Sequence, residues 1–493
     1  MAADGLGLGG RTIERDAKVT LIHTNDLHSH LEEAARIASY IKEIRGRIEP
    51  DRLLLIDCGD YLDRVRPETE GTNGAVNRAL LERLGYDAVT LGNNEGITWT
   101  REQLDGMFDS APFPVVCANL KWAETGSEPS WMIPFMLAEK DGLKIGLLGL
   151  TAAFNDYYRL LGWEADDPIE TAARLVPELR KRADVVVVIS HLGLWMDERL
   201  AAAVDGIDLI LGSHTHHLLE TPLTIGRTTV CAAGKFGFHI GIVQIEKNAA
   251  TGQIGIRGRC IPTADLPPDS DAEAIVRSFR EQADAAMNGV VAHLARPLPS
   301  DPARENPLGT LLAAALRKST GAEIGLTNAG QLLEGLSAGA VTKGDIHRIC
   351  PSPINPCLIM LRGDALRRAL EESLLPEFID LRFQGFGFRG KQLGTLCFDG
   401  MEVYADQTRP PYERVGEVLV GGIPLEDGRE YAVGTLDMFT FGVGYKGLKE
   451  GRVVRYFLPE FIRDLLSDAL NDADALADCN APRWHLKTEQ GAS

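Results

Sequence analysis

Five short apolar runs in the first half of the chain each end in residues that can hold a cation. They are VTLIHTNDLHSH from Val19, LLLIDCGD from Leu53, DAVTLGNNE from Asp87, VVVVISH from Val185 and LILGSHTH from Leu209. β-Branched and leucine-rich runs of this length read as buried strands, and the intervening stretches, such as EEAARIASYIKEIRGRI and VNRALLERLG, carry apolar residues at helical spacing. That alternation predicts an α/β layered domain. In open α/β sheets, ligands gather beyond the carboxyl ends of the strands. Asp26, His28, Asp60, Asn93, His191, His214 and His216 therefore point toward one place, although they lie far apart along the chain.

The chemistry of that set is specific. Asp26 and His28 lie two apart at a strand end, as do His214 and His216, so each pair points to one side. Mixed oxygen and nitrogen donors suit metals of intermediate softness, with Mn, Fe or Zn as the candidates. Two divalent ions fit the set, and Asp60 is the carboxylate placed to bridge them. Two cations roughly 3.5–4 Å apart can clamp an in-line phosphoryl transfer and activate the attacking water. His217 and His239 fall outside the pattern and are expected to be structural, and His23, inside a strand run, is expected in the core.

A length of 493 residues exceeds one ordinary core, so two domains are expected. The net charge of −19 argues against a nucleic acid polymer as partner; a small phosphorylated molecule is the expected one. Eight cysteines without CxxC spacing read as reduced thiols. No run of eighteen apolar residues exists to cross a membrane, and MAADGLGLGGRTIERDAK lacks the basic start and apolar segment of a signal peptide, so a cytoplasmic location is expected. The expected organisation is a flexible tail at 1–16, a first domain at 17–264, a linking helix at 265–291, a second α/β domain at 292–470 and a tail at 471–493. Oligomeric state is not legible.

In the order and wording of these blocks the chain resembles the calcineurin-like metallophosphoesterases, and within them the 5′-nucleotidase family. The family's DxH is Asp26-Leu27-His28, its GD is Gly59-Asp60, its GNH(D/E) is Gly92-Asn93-Asn94-Glu95, its SH is Ser190-His191, and its GHxH-like block runs Gly212-Ser213-His214-Thr215-His216. The resemblance implies a four-layer α/β/β/α sandwich followed by a second α/β domain. It implies one metal on Asp26, His28, Asp60 and His216, and another on Asp60, Asn93, His191 and His214. It implies a dinuclear phosphohydrolase in which water attacks a nucleotide or related phosphate in line. A phosphodiesterase or pyrophosphohydrolase for cyclic or sugar nucleotides, or a non-catalytic metal- or nucleotide-binding sensor, are the alternatives.

The site departs from that family at its acid. The histidine of GNH, which protonates the leaving group, is Asn94 here, and the aspartate that supports it is Ile97. Asparagine delivers no proton near neutral pH, and general acid catalysis is typically worth about 10²–10⁴-fold. GDYLDR instead resembles the GDxxDR of calcineurin-like phosphatases, which implies roles for Asp63 beside the catalytic group and for Arg64 on phosphate.

In the second half, ENPLGTLLAAAL and EIGLTNAGQLLEGLSAGAVTKGDIHRICPSPINPC are similar to the nucleotidase substrate domain. The family's phosphate-contacting arginine there falls on a leucine, and its NGGDG block is reduced to MFTFGVGY. Asn328, Gln331, His347, Arg348 and Asn355 are the polar candidates for substrate, Arg389 for an anion, and Phe386, Phe388, Phe439 and Phe441 for stacking on a planar ring.

Overall fold

The computed structural model describes residues 16–383 and 385–488, so the expected tail at 1–16 lies, but for its last residue, outside the described residues. Two sheets face each other in the first half. One has seven strands in the order Ile254–Pro262, His239–Lys247, Ala17–Thr24, Leu53–Asp57, Ala88–Val89, Val115–Val116 and Met132–Ile133. The other has six, in the order Leu223–Ile225, Thr228–Ala232, Leu209–Gly212, Val185–His191, Leu143–Thr151 and Phe135–Lys140.

Period-two alternation explains why the strand runs are apolar throughout. Val185, Val187 and Ile189 enter the core between the sheets, with Leu21, Leu54 and Ile56 from the opposite sheet. Val186 and Val188 point the other way, onto Val176 and Leu179 of the Pro168–Arg180 helix and Leu200 of the Leu194–Ala203 helix. On the far side, Ile22, Leu53 and Leu55 meet Leu31 and Ile37 of the Leu31–Arg45 helix and Leu80 of the Ala75–Leu84 helix. The result is the expected α/β/β/α sandwich.

The helix Ser270–Met287 is more than a connector. It packs on the Pro67–Gly71 and Ala75–Leu84 helices, and its N-terminal Asp269 accepts from Lys42 Nζ at 2.9 Å. The second half holds a five-stranded sheet, ordered Leu396–Asp399, Ile324–Asn328, Glu430–Leu436, Pro356–Arg362 and Arg452–Tyr456. A four-stranded sheet adjoins it, ordered Ile423–Pro424, Val415–Val420, Met401–Asp406 and Trp484–Lys487. That last strand corrects the expectation of a tail from 471 onward for the described residues, which end at 488. Trp484 is buried, donates from Nε1 to Leu396 O at 3.0 Å and packs on Phe398, and the strand pairs in parallel with Met401–Asp406. Among the described residues no helix is long and apolar enough to cross a membrane.

The halves meet through polar groups. Glu70 takes Arg64 Nε at 2.7 Å and Arg463 Nη2 at 3.1 Å, and His347 Nε2 lies 2.7 Å from Arg64 O. Tyr157 of the first half stacks on Phe441 of the second.

Candidate metal centre

The loops that leave the first two strands are zipped together by backbone bonds. Asp26 N–H donates to Gly59 O at 3.0 Å, His28 N–H to Asp60 O at 2.8 Å and Ser29 N–H to Tyr61 O at 2.9 Å. The metal-ligand types sit on unusual backbone: Asp26, His28, Asp60, His214 and His216 all have positive φ, between 47° and 73°. This left-handed region is uncommon outside glycine and is held only where the surroundings over-determine it.

Two neighbouring motif positions leave no room for a side chain. A Cβ on Gly92 would stand 2.0 Å from Asp60 Oδ1, and one on Gly59 would stand 2.6 Å from Gly92 N and 2.8 Å from His191 Nδ1. The glycines of GD and GN are therefore steric conditions for bringing the loops together.

Two donor groups result. Asp26, His28 and His216 form one and Asp60, His191 and His214 the other, with the donor atoms of each within 4.8 Å of one another. Asp60 Oδ2 lies between them, 3.7 Å from His28 Nε2 and 3.4 Å from His191 Nε2. His28 Nε2 and His216 Nε2 are 3.2 Å apart, and Asn93 Oδ1 is 3.3 Å from His191 Nε2. All seven residues expected at the site are thus brought together.

Their supports are equally defined. His191 directs Nδ1 at Cys58 O (2.8 Å), which leaves Nε2 facing Asp60. Asp26 accepts from His214 N at 3.0 Å and from Asn25 Nδ2 at 2.8 Å. Glu95 accepts the backbone N–H groups of Asp60, Leu62 and Gly92 at 2.9–3.0 Å and so braces the loop of the bridging carboxylate. Burial and then the Asp60 charge push Glu95 up to about 7. Burial disfavours charge on His214 and His216, lowering them to about 4 and about 3, which keeps them in the neutral form a cation requires. Burial opposes charge on His191 as well, but the carboxylate of Asp60 outweighs it and raises the group to about 10. A cation between Asp60 and His191 would meet the same electrostatic demand as that proton. Buried and part-buried donors of mixed type, with His28 and His191 already bonded on their far nitrogens, fit two divalent ions.

Comparison with known proteins agrees. Residues 19–218 match the calcineurin-like phosphoesterase family, and residues 289–450 match the family described as 5′-nucleotidase, C-terminal domain. The metallophosphoesterase YunD of Bacillus subtilis is 36% identical over 455 residues, covering 91% of this chain and 98% of the relative. The chain belongs to the 5′-nucleotidase family of metallophosphoesterases. This metallophosphoesterase is a metal-dependent phosphoric ester hydrolase. It is also 24% identical over 404 residues to the 5′-nucleotidase of Vibrio cholerae, covering 69% of this chain and 72% of that one. Its fold is that of a 5′-nucleotidase precursor from Thermus thermophilus (TM-score 0.59, 24% identity) and of the NAD nucleotidase of Haemophilus influenzae (TM-score 0.67, 16% identity). Each match covers 96% of this chain and 100% of the other.

The other expected residues of the metallophosphoesterase divide sharply. Asn94 is at the centre: its N–H donates to Asp60 Oδ1 at 2.8 Å and its carboxamide lies 2.9 Å from His28 Nδ1. Asp63 is there too, with Oδ2 3.3 Å from His28 Nδ1 and bonded to Arg389 Nη2. Arg64 is committed elsewhere: it pairs with Glu70, donates to Thr98 O at 2.7 Å and lies over the rings of Trp99 and Phe461. The phosphate contact expected of it gives way to a strut between the halves.

In the second half, Phe386 and Phe441 are 51% and 43% exposed, with centroids 5.7 Å apart. Phe439 and Phe388 are buried, on Tyr445 and Phe383 respectively, so the stacking expected of these two becomes core packing. Arg348 pairs with Glu334 and Asp345 at the surface, and His347 is fixed on Arg64 O. Asn355 donates to Glu460 O at 2.8 Å. Asn328 and Gln331 are fully buried; Asn328 donates to Leu393 O at 2.7 Å, while its Oδ1 and both amide atoms of Gln331 have no hydrogen-bond partner among the described residues.

Sequence reasoning missed the bracing role of Glu95, although the residue stood inside the GNNE motif. It also missed Phe236, whose ring stacks on His30 at 4.1 Å and lies 5.8 Å from His28, and no local pattern marked it.

Proposed function

We propose that this enzyme hydrolyses small nucleotide-like phosphates at a pair of divalent cations, with a preference for anhydrides and activated esters over alkyl monoesters. The observation that carries this reading is Asn94. Its carboxamide occupies the motif position of the leaving-group acid and lies against His28 Nδ1, where it can hydrogen-bond but cannot protonate. A departing phosphate or an acidic phenol needs no proton, whereas an alkoxide does.

Asp26, His28, Asp60 and His216 would hold one cation, and Asp60, Asn93, His191 and His214 the other. When bound, such ions neutralise phosphate oxygens and lower the pKa of water. The protein's own groups then orient the substrate. Arg389 presents a guanidinium at the edge of the site beside Asp63, suited to an anionic oxygen. Phe386 and Phe441 offer two exposed ring faces for a base. An anion-binding guanidinium and exposed aromatic rings together support a nucleotide as the substrate class.

The test is the rate of hydrolysis, with Mn²⁺ present, across phosphate esters of graded leaving-group pKa. A steep fall with rising pKa is expected. A flat dependence, as an enzyme with a working acid gives, would overturn the reading.

A further inference from the structure

Arg389 is rooted in the second half and reaches into the first. Its own N–H donates to Ser352 Oγ at 3.0 Å, and its Nη1 donates to Phe388 O at 3.3 Å. The segment around it is closed on itself and on the buried Ala329–Gln331 turn: Leu393 N–H donates to Leu381 O at 2.8 Å, Gly330 N–H to Leu393 O at 3.1 Å and Gly394 N–H to Ile379 O at 3.0 Å. Phe386, within the same segment, has φ 56°. The base of the arginine is therefore fixed to the second domain.

Its tip meets Asp63, a carboxylate that is 2% exposed. Asp63 is itself held from behind: its N–H donates to Ser29 Oγ at 2.7 Å, and its Oδ1 accepts from Val65 N–H at 2.9 Å. Oδ2 is shared between Arg389 Nη2 and His28 Nδ1. His28 Nε2, on the other side of the ring, faces Asp60 and His216. One unbroken polar chain thus runs from the second domain, through Arg389, Asp63 and His28, to the donor cluster.

A carboxylate on the far nitrogen of a metal-binding histidine fixes its tautomer and its ring angle, and losing that partner typically costs about 10–100-fold in metal affinity. Here the carboxylate is aligned by a cation that belongs to the other domain. We propose that Arg389 is a positioning residue through which docking of the second domain sets the cation affinity of the His28 site. The proposal rests on the dinuclear reading above. Coupling of this kind is reciprocal, so cation binding in turn tightens docking of the second domain.

Calorimetric titration of the intact protein with Mn²⁺, combined with elemental analysis of bound metal, tests it. In R389M, one of two sites should weaken about tenfold while the other stays within about twofold. D63N should weaken the same site, and R389M should add nothing in the D63N background, because the arginine acts through Asp63. R362M, which breaks an exposed pair with Asp364, should leave both sites unchanged. As a readout independent of affinity, Mn²⁺ should slow amide exchange of residues 385–394 in the parent and not in R389M. R389K retains the charge without the fork and should fall between the two; if R389M fails to fold, R389K carries the comparison. Equal Mn²⁺ affinities in parent and arginine variants overturn the coupling alone, as do additive losses in the double variant. Absence of Mn²⁺ binding by the parent overturns the dinuclear reading and the coupling together.

Discussion

His28 Nδ1 stands 3.3 Å from Asp63 Oδ2, on the side of the ring opposite the nitrogen that faces Asp60. In GDxxDR phosphatases the resemblance assigns that aspartate to a catalytic histidine. With asparagine at position 94, the carboxylate instead meets a histidine of the candidate donor cluster. The same motif has kept its carboxylate and changed what the carboxylate orients.

Asn94→His should restore the acid. Asn94 and Asp63 both touch His28 Nδ1, so an imidazole at 94 arrives close to the carboxylate of Asp63. Hydrolysis of a nucleoside 5′-monophosphate should rise by about 10²-fold or more, and that of a nitrophenyl ester should change little. Steady-state kinetics on both substrates checks this; a parallel change in the two would count against the missing acid.

Asp60→Asn should remove the bridge. Its Oδ2 is the atom close to both His28 and His191. Bound metal should fall below two per chain by elemental analysis, and kcat should drop about 10³-fold or more, since a clamp on phosphate oxygens is worth several kcal/mol.

Gly92→Ala should be equally damaging without touching a donor. The added methyl would stand 2.0 Å from Asp60 Oδ1 and 2.5 Å from Asp60 N, both fixed by neighbours. Loss of metal with retained circular dichroism is the expected result. Full metal occupancy would show that the loop can yield.

Phe441→Ala and Phe386→Ala should raise KM for purine nucleotides about tenfold, because stacking on one ring is worth roughly 1–3 kcal/mol. KM for a phosphate without a ring should not move. If it moves equally, the pair is structural.

Glu70→Gln should destabilise the protein by about 3 kcal/mol, because Arg64 and Arg463 lose their shared carboxylate in a mostly buried site. Burial alone would raise Glu70, but Arg463 and Arg64 outweigh it and hold the group below its ordinary value. The unfolded chain then binds more protons between the two values, so stability rises with pH there. The gap between parent and variant in urea unfolding should be complete at pH 7 and shrink below about pH 4, the ordinary glutamate range.

The donor cluster was legible because strand-end position and residue type coincide: Asp26, His191 and His214 follow apolar runs whose period fixes where they emerge. The asparagine at position 94 was legible for the same reason, as one letter in GNNE, and the structure places it against His28 and Asp60. Arg389 and Arg64 were harder to assign, because each role is set by a partner across the chain. Arg389 meets a residue 326 positions away, and Arg64, besides its near neighbour Glu70, is captured by the distant Phe461 and His347. Phe439 and Phe441 stand two apart with similar neighbours, yet the 3-10 turn Asp437–Phe441 buries one and exposes the other. The closing strand at Trp484 escaped notice because its partner, Met401–Asp406, lies far upstream and local pattern contains no trace of it.

The left-handed backbone at Asp26, His28, Asp60, His214 and His216 has a further consequence for how this scaffold changes over time. Each such residue costs roughly 1–3 kcal/mol relative to glycine at the same place. Drift toward glycine there would relax the fold while dismantling the centre, so robustness and activity pull in opposite directions at these five positions. Innovation in such a lineage has an easier route through the second half. A substitution there leaves the five left-handed positions of the donor loops untouched.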